Sequence, residues 1–152
     1  MKKLLQYIRE PINTLTHGSG AILAVIGLAV LIYEAIQHGS ISHLIAFSIF
    51  GLSMILLYTA SSLYHALPVK KKTLELLQKL DHSMIYVLIA GTYTPICLLV
   101  LDGGRKSPPF ATTSSLALTG IITQLLWTNA PRWPSTLLHL RMRWLPVLTS
   151  PT

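Results

Sequence analysis

Apolar residues gather into long runs along this chain instead of alternating with polar ones. The first run, "GSGAILAVIGLAVLIYEAIQ", extends from Gly18 to Gln37, and its one charge, Glu34, lies a turn from the end. After a short "HGSISH" turn, a second run extends from about Ile41 to Leu67. A third, "SMIYVLIAGTYTPICLLVL", covers Ser83 to Leu101, and a weaker one covers Leu116 to Trp127. At 1.5 Å rise per residue, about 20 apolar residues cross a hydrocarbon layer of about 30 Å. The pattern predicts transmembrane helices over about 18–37, 41–66 and 82–101, with a weaker fourth near 110–128. The second run exceeds the usual span, which predicts tilt or an extension beyond the lipid. The small residues Gly18, Ser19, Gly20 and Ala21 favour close helix contact.

The connecting pieces sharpen this picture. Pro68 ends the second run, and "PVKKKTLELLQKL" follows. Lys70, Lys71 and Lys72 suit headgroups, Leu74 and Leu77 mark an apolar side, and Glu75 and Lys79 form an i,i+4 pair. The expectation is a short helix lying on the membrane surface. Pro95 predicts a kink in the third span, with Thr92 or a neighbour taking up freed carbonyls. Beyond Leu101 the stretch "DGGRKSPPFATTSS" reads as loop, and the tail carries Pro131, Pro134, Pro146 and three arginines, a partial fifth helix at most. No internal repeat or soluble domain boundary is visible. The chain reads as a single membrane domain over 1–152: a polar N-terminal segment 1–17, helices one to three over 18–101, and a divergent part 102–152.

Composition agrees. Only 11% of the 152 residues are charged against 51% hydrophobic, where a soluble domain carries about 25% charge. The net charge of +7 sits in clusters between apolar runs, which points to membrane loops and excludes a nucleic-acid surface. One side receives Lys2, Lys3, Arg9, Lys70, Lys71, Lys72, Lys79, Arg132, Arg141 and Arg143, and the other Arg105 and Lys106. This asymmetry places the N-terminus in the cytoplasm of a multi-pass protein of the cell membrane. The single cysteine, Cys97, permits no intrachain disulfide and reads as a buried hydrophobe. Arg9, Glu10 and Pro11 interrupt the N-terminus before any signal-peptide core forms.

Candidate chemistry lies in the few polar residues of the spans. "YTASSLYHAL" ends the second run, and Tyr58, Ser61, Ser62 and His65 fall at i, i+3, i+4, i+7, on one helix face. His65 ends near the surface from which Asp81 opens the third helix, so the two lie at matching depth. An imidazole and a carboxylate there could hold a metal ion, relay a proton or simply pair. The plainer alternative is hydroxyls bonding their own backbone and a histidine anchored at headgroups. Glu10, Asn13 and His17 fall at i, i+3, i+7, which suits capping and packing, and Pro11 fits a first helical turn. His82 points about 100° from Asp81, toward the interface. His38 and His43, five apart, do not form a ligand pair.

"EPINTLTHGSGA", "SSLYH" and "LDHSMIYVLIAGTYTP", with "WTNAPRW" further on, resemble the hemolysin III family, within the group of progestin and adiponectin receptors. The resemblance covers about Arg9 to Leu101, lapses over 102–117, and returns for about Leu118 to Trp144. It implies an all-α integral membrane bundle of seven helices, of which this chain supplies three, a weaker fourth and part of a fifth. It also implies a zinc site near the cytoplasmic side. In that site His65 is a metal ligand, and Ser61 and Asp81 line the catalytic centre. Glu10, Asn13 and His17 match the family's N-terminal polar group.

Relatives suggest hydrolysis of a lipid amide by zinc-activated water, and bacterial members carry a cytolytic label. The family's other two zinc histidines lie four apart on the last helix, whereas this chain has no His-x-x-x-His, and His139 is its only histidine after residue 100. The chain therefore reads as truncated, with one wall of a zinc site. Three functions follow as expectations: a zinc-dependent membrane hydrolase, a lytic or lipid-sensing membrane protein without catalysis, and an inactive fragment. The expected partners are the lipid bilayer, a lipid substrate and a second copy of the chain.

Overall fold

The computed structural model describes residues 7–100, 107–126 and 140. Helix α1 spans Pro11–His38, α2 Ile41–Ala66, α3 Lys71–Pro95 and α4 Ser107–Leu126, and a π-helical turn, Ile96–Val100, continues α3. No strand occurs among the described residues. Pro11 starts α1, where its missing N–H was an orphan donor anyway. At the head of α2 the Ser40 N–H donates to His43 Nδ1 at 3.3 Å, so this histidine caps a helix. Sequential helices pack side by side, α1 on α2, α2 on α3 and α3 on α4.

The distribution of side chains is that of a bundle in lipid. Large apolar residues such as Ile22, Leu23, Ile26, Leu52 and Leu56 lie exposed on the outside. Buried positions go mostly to small residues, among them Ala24, Ala35, Ala46, Ser53, Ser61, Ser83 and Thr94, with Tyr86, Tyr93 and Cys97 the larger exceptions. Lipid tails solvate leucine as well as protein does, so helices associate through close packing of small residues. Gly91 makes this concrete: a Cβ there would overlap the Ser53 side chain of α2. Three helices, Pro11–His38, Ile41–Ala66 and Lys71–Val100, are long and apolar enough to cross a membrane. In α4 the apolar stretch Ser114–Thr123 is shorter.

Two expectations change here. The lysine-rich segment is no separate surface helix. It forms the first turns of α3, which runs unbroken from Lys71 to Pro95. Nothing in "KKKTLELLQKLDHS" breaks a helix, and every residue from Lys71 can keep its ladder bonds. The first helix likewise begins at Pro11, seven residues before the apolar run, where Asn13, Thr14 and Thr16 bond to Glu10 and to carbonyls three or four residues back. Pro95 is followed by a π turn, a common response to a broken ladder. Thr92 Oγ1 donates to the Leu88 and Ile89 carbonyls (2.9 and 2.7 Å) and Thr94 Oγ1 to Ala90 (3.2 Å). The hydroxyls thus reinforce the turn ahead of the proline. The expected partial fifth helix and the 101–106 connection lie outside the described residues, residue 140 apart.

Candidate functional site

The polar end of α2 meets the start of α1. A helix leaves its last four carbonyls without intrahelical partners, and in α2 these belong to Leu63, Tyr64, His65 and Ala66. The Leu67 N–H donates to Leu63 O at 3.1 Å. The other three are served by two residues preceding α1. Arg9 N–H donates to Ala66 O (3.3 Å), Glu10 N–H to His65 O (3.0 Å), and Arg9 Nη2 to Tyr64 O (2.8 Å). Pro68 prevents any further helical turn, so α2 is capped in trans, across the helix hairpin.

Side chains complete the junction. Glu10 Oε2 lies 2.8 Å from His65 Nδ1 and accepts from Asn13 Nδ2 at 2.8 Å, while Oε1 lies 3.0 Å from Arg9 Nη2. The Arg9 guanidinium also sits 4.4 Å above the Tyr64 ring, a cation–π contact. The Asn13 hydrogen bond first, then the His65 hydrogen bond and charge and the Arg9 charge, hold the Glu10 carboxyl below its ordinary value, against an opposing desolvation. An ionised carboxylate only accepts, so His65 Nδ1 carries the proton of this bond. In the neutral ring that leaves the Nε2 lone pair open. His17 stacks on His65 (ring centroids 5.4 Å apart, planes 26° apart), and its Nδ1 is buried without a hydrogen-bond partner among the described residues.

The α1–α2 contact brings these groups into register. A Cβ on Gly20 would come within 2.7 Å of the Tyr58 ring, so glycine lets tyrosine lie against the α1 backbone. One turn on, Ser62 Oγ reaches the Thr14 carbonyl at 3.4 Å. The face Tyr58–Ser62–His65 therefore looks onto α1. Ser61 is buried one turn before His65. Asp81 is half-buried on α3, and among the described residues no hydrogen bond or ion pair joins it to His65. The carboxylate bonded directly to the imidazole is Glu10. His82 is also half-buried.

The matched-depth argument that singled out Asp81 applies equally to Glu10, since α1 starts on the face where α2 ends. The i, i+3, i+7 spacing of Glu10, Asn13 and His17 did mark one cluster. Arg9 and Tyr64 were missed as partners. Their signal is adjacency, each being next to a member of the Glu10–His65 pair.

A zinc ligand role suits the His65 imidazole, because metal-binding histidines characteristically give their other nitrogen to a carboxylate. A catalytic zinc needs about three protein ligands, and no three His, Cys, Asp or Glu side chains converge on a metal position among the described residues. The fit is to one ligand position and not to a complete set.

Comparison with known proteins places the chain. The family described as "Haemolysin-III related" matches residues 5–152, a range that includes the 102–117 stretch where the resemblance was expected to lapse. "Hemolysin-3" of Bacillus cereus is 41% identical over 149 residues, 97% of this chain and 68% of that relative. The "Hemolysin-3 homolog" of Bacillus subtilis (strain 168) is 42% identical over 142 residues, 93% of this chain and 66% of that relative. The chain thus spans about two thirds of the length of either. With three helices fit to cross a bilayer and a match along nearly its whole length, this multi-pass membrane protein belongs to the hemolysin III family.

Proposed function

We propose that the chain works at one face of the bilayer through the Glu10–His65 junction, and that His65 contributes one ligand to a zinc ion serving hydrolysis of a lipid amide. The observation that carries this reading is the 2.8 Å contact between Glu10 Oε2 and His65 Nδ1, which leaves Nε2 free to donate its lone pair. Zinc, when bound, would activate a water molecule. Ser61, buried a turn away, and Asp81 are the residues proposed to orient that water or take its proton. One imidazole does not by itself make a catalytic zinc site, which needs about three protein ligands. The described residues alone should therefore bind zinc weakly, with water filling the open positions.

Elemental analysis after purification in mild detergent and dialysis tests this. Substoichiometric zinc that falls further in His65→Ala is the expected result. Zinc content unaffected by His65→Ala would refute the ligand role. About one zinc per chain, lost in that variant, would mean that further ligands come from a second copy or from other histidines, with His17 first to examine.

A second reading is membrane lysis without catalysis. It is favoured by the name "Hemolysin-3" of the Bacillus cereus relative. Dye release from liposomes at equal rates with His65→Ala and the unmodified chain would support it over the first.

A further inference from the structure

We propose that Glu10 is the positioning residue of His65, fixing its tautomer and ring orientation from outside the second helix. The proposal rests on the ligand reading of His65 above and names what prepares that ligand. Glu10 grips His65 twice, with its backbone N–H on the His65 carbonyl at 3.0 Å and its carboxylate on Nδ1 at 2.8 Å. The carboxylate is itself locked. Asn13 Nδ2 shares Oε2 and Arg9 Nη2 holds Oε1, so both oxygens have partners besides the imidazole. Arg9 is fixed in turn on the Tyr64 carbonyl and ring.

The imidazole has little freedom left. Its ring stacks on His17 and lies tilted against Tyr64, with centroids 5.4 and 4.8 Å away. Rotation that would exchange Nδ1 and Nε2 must break the Glu10 bond. The carboxylate therefore selects the form protonated on Nδ1 and keeps Nε2 as the basic nitrogen. Free imidazole side chains favour the opposite tautomer, so the arrangement has a spectroscopic signature.

Two-bond proton–nitrogen correlation spectra of the full chain, labelled with nitrogen-15 at histidine and held in detergent, read that signature directly. Spectra are taken near about pH 8, above the ordinary imidazole value of about 6.5. The His65 signal is assigned by its loss in His65→Ala. The expected result is the Nδ1–H tautomer in the unmodified chain, a shift toward Nε2–H in Glu10→Ala, and no shift in Gly27→Ala, a change on the same helix with no other described atom within 4 Å of the added methyl. Zinc titration of the same samples should show about 10- to 100-fold weaker binding in Glu10→Ala.

An Nε2–H tautomer in the unmodified chain would overturn the proposal whether or not any variant folds. So would an unchanged His65 signal in a folded Glu10→Ala. A tautomer that depends on Glu10 in a chain that takes up no zinc would leave Glu10 as the positioning residue and remove the metal reading instead.

Discussion

At the residue scale the junction rests on Arg9 and Glu10, which supply three donors to three consecutive carbonyls. Arg9→Ala removes a charge-assisted bond to Tyr64 O, the contact with Glu10 and the stacking on Tyr64. A loss of about 1–3 kcal/mol is expected, read as a lower unfolding temperature in detergent. The Glu10 carboxyl titrates below its reference value of 4.5. Its contribution to stability is therefore complete above that value and fades as pH falls through the lower folded one. Thermal unfolding followed from neutral to acid pH should show this decline, and Glu10→Gln should flatten it. The site was half legible in the sequence. Spacing put Glu10, Asn13 and His17 on one face and Tyr58, Ser61, Ser62 and His65 on another. Helical periodicity does not say which faces meet, so the partner of His65 was sought on the third helix and stands ahead of the first.

At the scale of the helix, small residues decide the contacts. Gly91 and Gly27 are both mid-helix glycines with different surroundings. A Cβ at Gly91 collides with Ser53, whereas one at Gly27 meets nothing within 4 Å among the described residues. Gly91→Ala should destabilise by about 1–3 kcal/mol through overpacking. Gly27→Ala should be neutral or stabilise by about 0.5–1 kcal/mol, as glycine is the poorer helix former. Unfolding of the two variants side by side in one detergent would check the contrast, and equal behaviour would contradict the packing described for α2 and α3. Span positions were readable because twenty apolar residues have few alternatives. The start of α3 was not, because an amphipathic lysine-rich turn has the same pattern whether it lies flat or continues a helix.

At the scale of the whole molecule, the basic residues of the loops predict which face the junction occupies. Lys70, Lys71 and Lys72 adjoin the end of α2, so the face bearing His65 is expected in the cytoplasm. A cysteine placed at Lys71 should resist membrane-impermeant reagents in intact cells and react after permeabilisation. Labelling in intact cells would reverse the orientation. Bundle class and the three spans could be read from hydropathy alone, since a membrane leaves the backbone few choices. The meeting of Glu10 with His65 could not, because the two are 55 residues apart in sequence.

The cap in trans also makes the junction a check on insertion. Arg9 and Glu10 precede α1, and the carbonyls that they serve close α2. Donors and acceptors can meet only if the chain crosses the bilayer an even number of times between them. A chain in which one of the two helices failed to insert would strand the pair on opposite sides of about 30 Å of hydrocarbon. Those three bonds thus record the parity of the first two crossings, and they can form only after residue 66 has left the ribosome.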